Sequence, residues 1–251
     1  MITNSLPFGT LQTWKKLLFR DRNARWASTA LCRADEIRTF QPINIMRNEI
    51  KKPTVVKASD TIIRNNLKRW FASASQKEIV EGLNWYNDAT READSIAREF
   101  GISRYKAAAV ISALSPNNRW KRNVRDSWAL VACWYAGKDQ SNVRCSTYNA
   151  NKAKAFRILD GELIAESAPK THSFASTIAG IGKAVTVDKW HVRACLTRRG
   201  KSEHVVESVN VANYWRLERI TAELAQEAGV EPYQYQAIVW VSIKNDWSFK
   251  Q

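Results

Sequence analysis

Ser75, Glu78 and Gly101 bracket the stretch that most restricts how this chain can fold. A serine hydroxyl can cap the third amide of a helix while a glutamate three residues on reaches back to the serine amide, and a glycine past the last turn accepts the left-handed conformation that ends it. Between them, QKEIVEGLNWYNDATREADSIAREF puts Ile79, Leu83, Tyr86, Ile96 and Phe100 on one helical face, with a break expected near Asn87 and Asp88. So long an amphipathic helix needs partners to cover its apolar stripe. Later segments keep the same period: Val211, Tyr214, Leu217, Ile220 and Leu224 precede Gly229, and Pro232 opens another helix that carries Gln236, Val239 and Trp240 near one face. The expected fold class is all-α.

The chain has 251 residues, of which 45% are hydrophobic, enough for one large domain or one domain with an extension. Lys and Arg outnumber Asp and Glu by 39 to 24, for a net charge of +15. Such a surface seeks a polyanion, DNA or RNA before a membrane, because no lipid-binding signature accompanies the charge. Tryptophan occurs 11 times and offers flat surface for unpaired bases, although most of these side chains belong to a core. Cys32, Cys133, Cys145 and Cys195 are too scattered for a zinc or iron–sulfur cluster. They suit a reducing cytoplasm better than a disulfide framework, and no secretory leader or long apolar run is seen. The expectation is a cytoplasmic monomer without membrane attachment, metal or cofactor.

Residues 1–60 read as a basic extension and residues 61–251 as the main helical domain. Between positions 1 and 52 stand 10 Lys/Arg and 4 Asp/Glu. LQTWKKLLFRDRNARWASTALCRADEIRTF could form one or two helices, with Trp14, Leu17, Leu18 and Trp26 on an apolar face. This extension is either an arm that grips DNA or a solvated helix packed on the domain, and Pro42 and Pro53 bracket a connector. SIAREFGISRYKAAAVISAL has the outline of a helix-turn-helix, but it runs into SPNNRWKRNVRDSWALVACWYAG, where Pro116, Asn117 and Asn118 break the helix; a recognition helix does not ordinarily end in such a loop.

The pair that carries chemistry is Lys170 and Asp188, 188 − 170 = 18 positions apart, with a helix-like segment, a Gly-containing turn and a β-branched run between them. A lysine whose pKa is lowered by desolvation or nearby cations can attack a sugar C1′ and hold it as an imine. A carboxylate beside it can stabilise the positive charge that grows on the sugar as a base departs. Each residue also has a plainer reading: a solvated lysine at a helix start, and an N-cap for KWHVRACL.

Three landmarks then align. VISALSPNNRWKRNVRDSWALV has Leu114, Ser115 and Asn123; YNANKAKAFRIL, residues 148–159, has a tyrosine followed by Lys-Ala in a helix; and KTHSF…TVDKWHVR has Lys170, Val187, Asp188 and Arg193. Together they resemble the helix-hairpin-helix (HhH-GPD) DNA glycosylases over roughly residues 75–200. The resemblance implies a two-lobed fold with the active site in a cleft between lobes, a target nucleotide flipped into it, Lys170 as nucleophile and Schiff-base residue, and Asp188 as electrostatic stabiliser or base. It also points to a neighbouring branch, the bacteriophage proteins that look like glycosylases but replace an activated group on the 5-methyl position of thymine with an amino acid or polyamine. A DNA-binding module without chemistry is the third class.

Lys121, Arg122, Arg125 and Arg144 are candidates for phosphate contacts. Trp120 or Asn117 could fill the gap left by the flipped base, and Trp190, His191, Gln236 and Trp240 could contact the substrate. The chain departs from the family where a Gly-x-Gly hairpin normally precedes the lysine: it has Glu166, Ser167, Ala168 and Pro169. Gly180-Ile181-Gly182 lies too near Asp188 to take that place, and the C-terminal iron–sulfur cysteines of some members are absent.

Overall fold

The computed structural model of the chain describes residues 56–165, 167–197 and 209–248. The basic extension, with Trp14, Trp26, Cys32, Pro42 and Pro53, lies outside the described residues up to position 55. Every regular element among the described residues is helical: α1 (Asp60–Ala72), α2 (Gln76–Phe100), α3 (Arg104–Leu114), α4 (Trp120–Tyr135), a 3₁₀ turn (Gln140–Asn142), α5 (Asn149–Leu159), α6 (Pro169–Ile178), α7 (Lys189–Leu196), α8 (Val211–Glu227) and α9 (Pro232–Ser248).

The capping box forms as its chemistry requires. Glu78 N donates to Ser75 Oγ at 3.3 Å, Ser75 N donates to Glu78 Oε2 at 2.8 Å, and Gly101 closes α2 with φ 63°. The expected break at Asn87 and Asp88 does not occur. Both side chains face solvent, Asp88 pairs with Arg91 one turn on, and Ala89, Ala93 and Ile96 are fully buried. The packing of that stripe outweighs the few tenths of a kcal/mol by which Asn and Asp disfavour a helix interior, roughly 0.7 at most.

Beyond its first turn helix α3 is enclosed: Ala107 through Leu114 are buried, and the helix packs against α2, α4, α5 and α6. Its three consecutive alanines leave room for close neighbours, and a helix buried from Ala107 to Leu114 cannot lie along a DNA groove. A second set, α1, α7, α8 and α9, shares a core of Ile63, Leu67, Trp70, Val192, Leu217, Ile220, Tyr235 and Val239. Helix α1 also satisfies the end of α7: Asn66 Nδ2 donates to Cys195 O at 2.9 Å and Trp70 Nε1 to Thr197 O at 2.8 Å, so carbonyls that the helix leaves open are paired.

Helix α2 touches both sets, lying against α9 on one side and α3 on the other. At its crossing with α9, Gly82 lets the backbones meet: a Cβ there would lie 2.6 Å from Ile238 Cα. This crossing puts Trp85 and Tyr86 of α2 opposite Gln236 and Trp240 of α9, beside a cavity that residues of α2, α4, α6, α7 and α9 line together.

Candidate functional site

Asp188 is positioned by the segment before it. Helix α6 ends at Ile178, Gly180 turns the chain with φ 72°, and Val185, Thr186 and Val187 run buried to the start of α7. Tyr214 fastens this run, accepting from Val187 N at 3.3 Å and donating to Val185 O at 3.0 Å; burial pushes its phenol up to about 12. Asp188 then caps α7, its Oδ1 accepting from Trp190 N at 3.0 Å and His191 N at 2.8 Å. Its Oδ2 accepts from Trp240 Nε1 at 3.2 Å, and the residue lines the cavity. The plain N-cap and the cavity carboxylate are therefore one group, held in orientation by three N–H donors.

Lys170 sits in the first turn of α6, which Pro169 opens. Its Nζ lies 3.5 Å from Ser115 Oγ, and it lines the same cavity as Asp188. Burial lowers the pKa of the amine; the charge of Asp188 opposes that shift, while Lys189 and Lys154 add to it. A lowered pKa enlarges the fraction of free amine, the form that can attack carbon.

The cavity, about 860 Å³, has an aromatic wall centred on Trp85. Its ring lies 5.0 Å from Trp120, 5.7 Å from Trp240, 5.9 Å from Phe174 and 4.8 Å from Tyr86, centroid to centroid. The Tyr86 hydroxyl lies 3.0 Å from Thr186 Oγ1 and 3.2 Å from Gln236 Oε1, and burial raises its pKa, so it stays protonated and able to donate. Residues 115–118, which also line the cavity, form a tight turn. Asn118 N donates to Ser115 O at 3.1 Å, with Pro116 second and Asn117 third at φ 56°, the left-handed position that asparagine tolerates. Asn117 Nδ2 donates to the Tyr148 hydroxyl at 2.9 Å, and Lys189 Nζ donates to Asn117 Oδ1 at 3.2 Å.

Of the residues singled out from sequence, Lys170, Asp188, Asn117, Trp120, Trp190, Gln236 and Trp240 line this cavity. Trp120 is half-buried against Trp85 and belongs to the wall. Lys121, Arg122, Arg125 and Arg144 are exposed and lie outside the lining; Arg125 pairs with Asp126 at 3.2 Å. His191 goes elsewhere. It is fully buried behind α7, with Nε2 2.8 Å from Thr221 Oγ1, so it has no route to a substrate in the cavity.

Trp85, Phe174, Arg119, Lys189 and Lys244 join the lining without having been singled out. Two signals pointed to them: Trp85 is a tryptophan one position off the core stripe of α2, and Lys244 continues the four-residue spacing of Gln236 and Trp240. Among the described residues no cluster of His, Cys, Asp or Glu could hold a metal, and no helix is long and apolar enough to cross a membrane. Cys133, Cys145 and Cys195 are free thiols.

Residues 48–247 match the model of a family of unknown function, DUF7178. The chain belongs to that family. No curated protein and no solved structure matches it. The DUF7178 region takes in all nine helices named above apart from the last residue of α9, and with them every cavity residue, while most of the basic extension falls outside.

Proposed function

We propose that this DUF7178 protein is a two-lobed, glycosylase-like enzyme that flips a damaged or modified base out of DNA and excises it. The observation that carries the reading is that Lys170, an amine with a lowered pKa, and Asp188 line one cavity with an aromatic wall. The free Lys170 amine attacks C1′ of the flipped nucleotide; the bond from C1′ to the base breaks, its electron pair leaves with the base, and the base takes up a proton. The amine gives up two protons in all, one matching that taken up by the base and one taken up by O4′ as the C1′–O4′ bond breaks, and the opened sugar is left as an imine on Lys170. Asp188 stabilises the positive charge on the sugar as the bond breaks, and the Trp85 wall stacks on the base. Lys121, Arg122, Arg125 and Arg144 hold the strand by its phosphates.

Borohydride treatment of the enzyme on DNA that carries varied modified bases tests this. A covalent adduct is expected, and Lys170→Ala should abolish it. If nothing is trapped and Lys170→Ala retains activity, Lys170 is not the nucleophile. A second reading draws on the size of the cavity, which at about 860 Å³ leaves room for a small molecule beside a base: an external amine displaces an activated group on a pyrimidine 5-methyl carbon. Nucleoside mass spectrometry separates the two, an abasic site marking excision and an altered nucleoside marking transfer. DNA that stays unaltered and untrapped would leave a binding module.

A further inference from the structure

The cavity has a charge imbalance that base excision does not use. Besides Lys170, the cations Arg119, Lys189 and Lys244 line it, against one carboxylate among the described residues, that of Asp188. That carboxylate is already committed to two amides of α7 and to the Trp240 indole. Among the described residues no carboxylate forms an ion pair with Arg119, Lys189 or Lys244. Lys244 Nζ lies 4.3 Å from the Trp240 ring centroid and 5.8 Å from that of Trp190, and Lys189 Nζ lies 5.9 Å from Trp190, so one indole has both amines beside it. The amine of Lys189 otherwise meets a neutral acceptor, Asn117 Oδ1. Arg119 stands at the N-cap position of α4, exposed at the rim of the cavity.

Like charges gathered in a partly desolvated place repel one another and lose hydration. The effect registers on Lys244: burial lowers its pKa, Lys189 and Arg119 lower it further, and Asp188 and, more weakly, Glu81 oppose them. A neutral base offers these cations hydrogen-bond acceptors but no compensating charge. A tetrahedral anion with several oxygens would engage a guanidinium and two ammonium groups at once.

We propose that Arg119, Lys189 and Lys244 form a phosphate subsite of this cavity, which holds a phosphate of the substrate while its base stacks on the Trp85 wall. The proposal rests on reading the cavity as a nucleotide site. The phosphate could belong to the DNA strand beside the flipped nucleotide or to a separate group that enters with the substrate, and the chemistry of capture is the same.

Binding to the full chain, followed by calorimetry and by the fluorescence of the cavity tryptophans, tests it. Deoxythymidine 5′-monophosphate should bind about tenfold or more tightly than deoxythymidine at low salt. Lys244→Gln and Lys189→Gln should each erase most of that preference, and Lys244→Arg should keep it, which separates loss of charge from loss of folding. Two further probes locate the phosphate. If a methylphosphonate linkage beside the central nucleotide of a trinucleotide weakens binding to the native protein but not to Lys244→Gln, the strand supplies the phosphate. If the linkage makes no difference and inorganic pyrophosphate alone binds in a Lys244-dependent way, a detached phosphate does. Equal binding of nucleoside and nucleotide with no pyrophosphate binding, or a preference unchanged in Lys244→Gln, overturns the subsite. Lys170→Ala should keep the phosphate preference while losing the borohydride adduct, so a failure of the excision chemistry and a failure of the subsite are separate results.

Discussion

His191 supplies an acid-sensitive element at the back of the site. Thr221 Oγ1 donates to Leu217 O at 2.8 Å, so it must accept from His191 Nε2, also at 2.8 Å; the ring is then neutral with its open nitrogen, Nδ1, buried and without a partner among the described residues. Protonation would put a charge where no acceptor stands. Burial accordingly lowers the pKa from 6.5 to about 4, although the charge of Asp188 pulls the other way. Because the folded pKa is the lower one, the unfolded chain binds the extra proton between pH 6.5 and 4, and stability falls as pH falls through that window. Relative to pH 7 the loss from this ring is about 2 kcal/mol at pH 5 and about 3 kcal/mol at pH 4. In a chain of this size the pH 5 figure corresponds to a melting temperature lower by about 4–8 °C. His191→Gln keeps a donor for Thr221 but cannot titrate. Urea unfolding of both proteins from pH 7 to pH 4 should show the native protein losing that much more stability than the variant. Parallel curves would refute the assignment of a buried neutral histidine.

Asp188→Asn keeps a helix cap but removes the negative charge that the proposed excision sets against the sugar, so base release measured on a modified oligonucleotide should fall by about two to three orders of magnitude, or about 3–4 kcal/mol of transition-state stabilisation, with much less change in melting. Neutralising Lys121, Arg122 and Arg125 together should flatten the salt dependence of duplex binding by up to about one unit of slope per lost phosphate contact, and an unchanged slope would remove them from the DNA face. Gly82→Ala would press a methyl group to within 2.6 Å of the Ile238 backbone, so chemical denaturation should register a loss of about 1–3 kcal/mol; unchanged stability would mean that the two helices separate freely.

Where each structural feature had a local cause, the sequence carried it. The cap, stripe and stop of α2 depend on residues at fixed short spacings, and Pro116 with two asparagines dictates a turn whatever surrounds it. The continuity of α2 past Asn87 depends on what Ala89 and Ala93 pack against, which is tertiary. The burial of α3 beyond its first turn was equally hidden, because an alanine-rich segment covered on every side has no amphipathic signature. At the site, Lys170 and Asp188 were legible through spacing, and Trp240 through the period of α9. Trp190 and His191 show the limit: neighbours on a helix point about 100° apart, so one reaches the cavity and the other the core behind it, and sequence adjacency could not say which. Arg119 and Lys244 were not singled out, because the wall that half-encloses Lys244 is assembled from distant helices.

The contact at Gly82 sets the mechanics of the cavity. Side chains yield to a newcomer by changing rotamer, whereas two touching backbones have no such freedom. Helices α2 and α9 therefore act as one stiff plate, and Trp85, Tyr86, Gln236 and Trp240 ride on it in constant register. Accommodation of guests of different size falls to the rest of the lining, the turn at 115–118 and the first turn of α6, where hydrogen bonds can be exchanged one at a time. Under the proposed excision, Lys170 stands on that more compliant part and Trp85 and Trp240 on the stiff one, so the fit of a base would adjust its distance from Lys170 without disturbing the face on which it stacks.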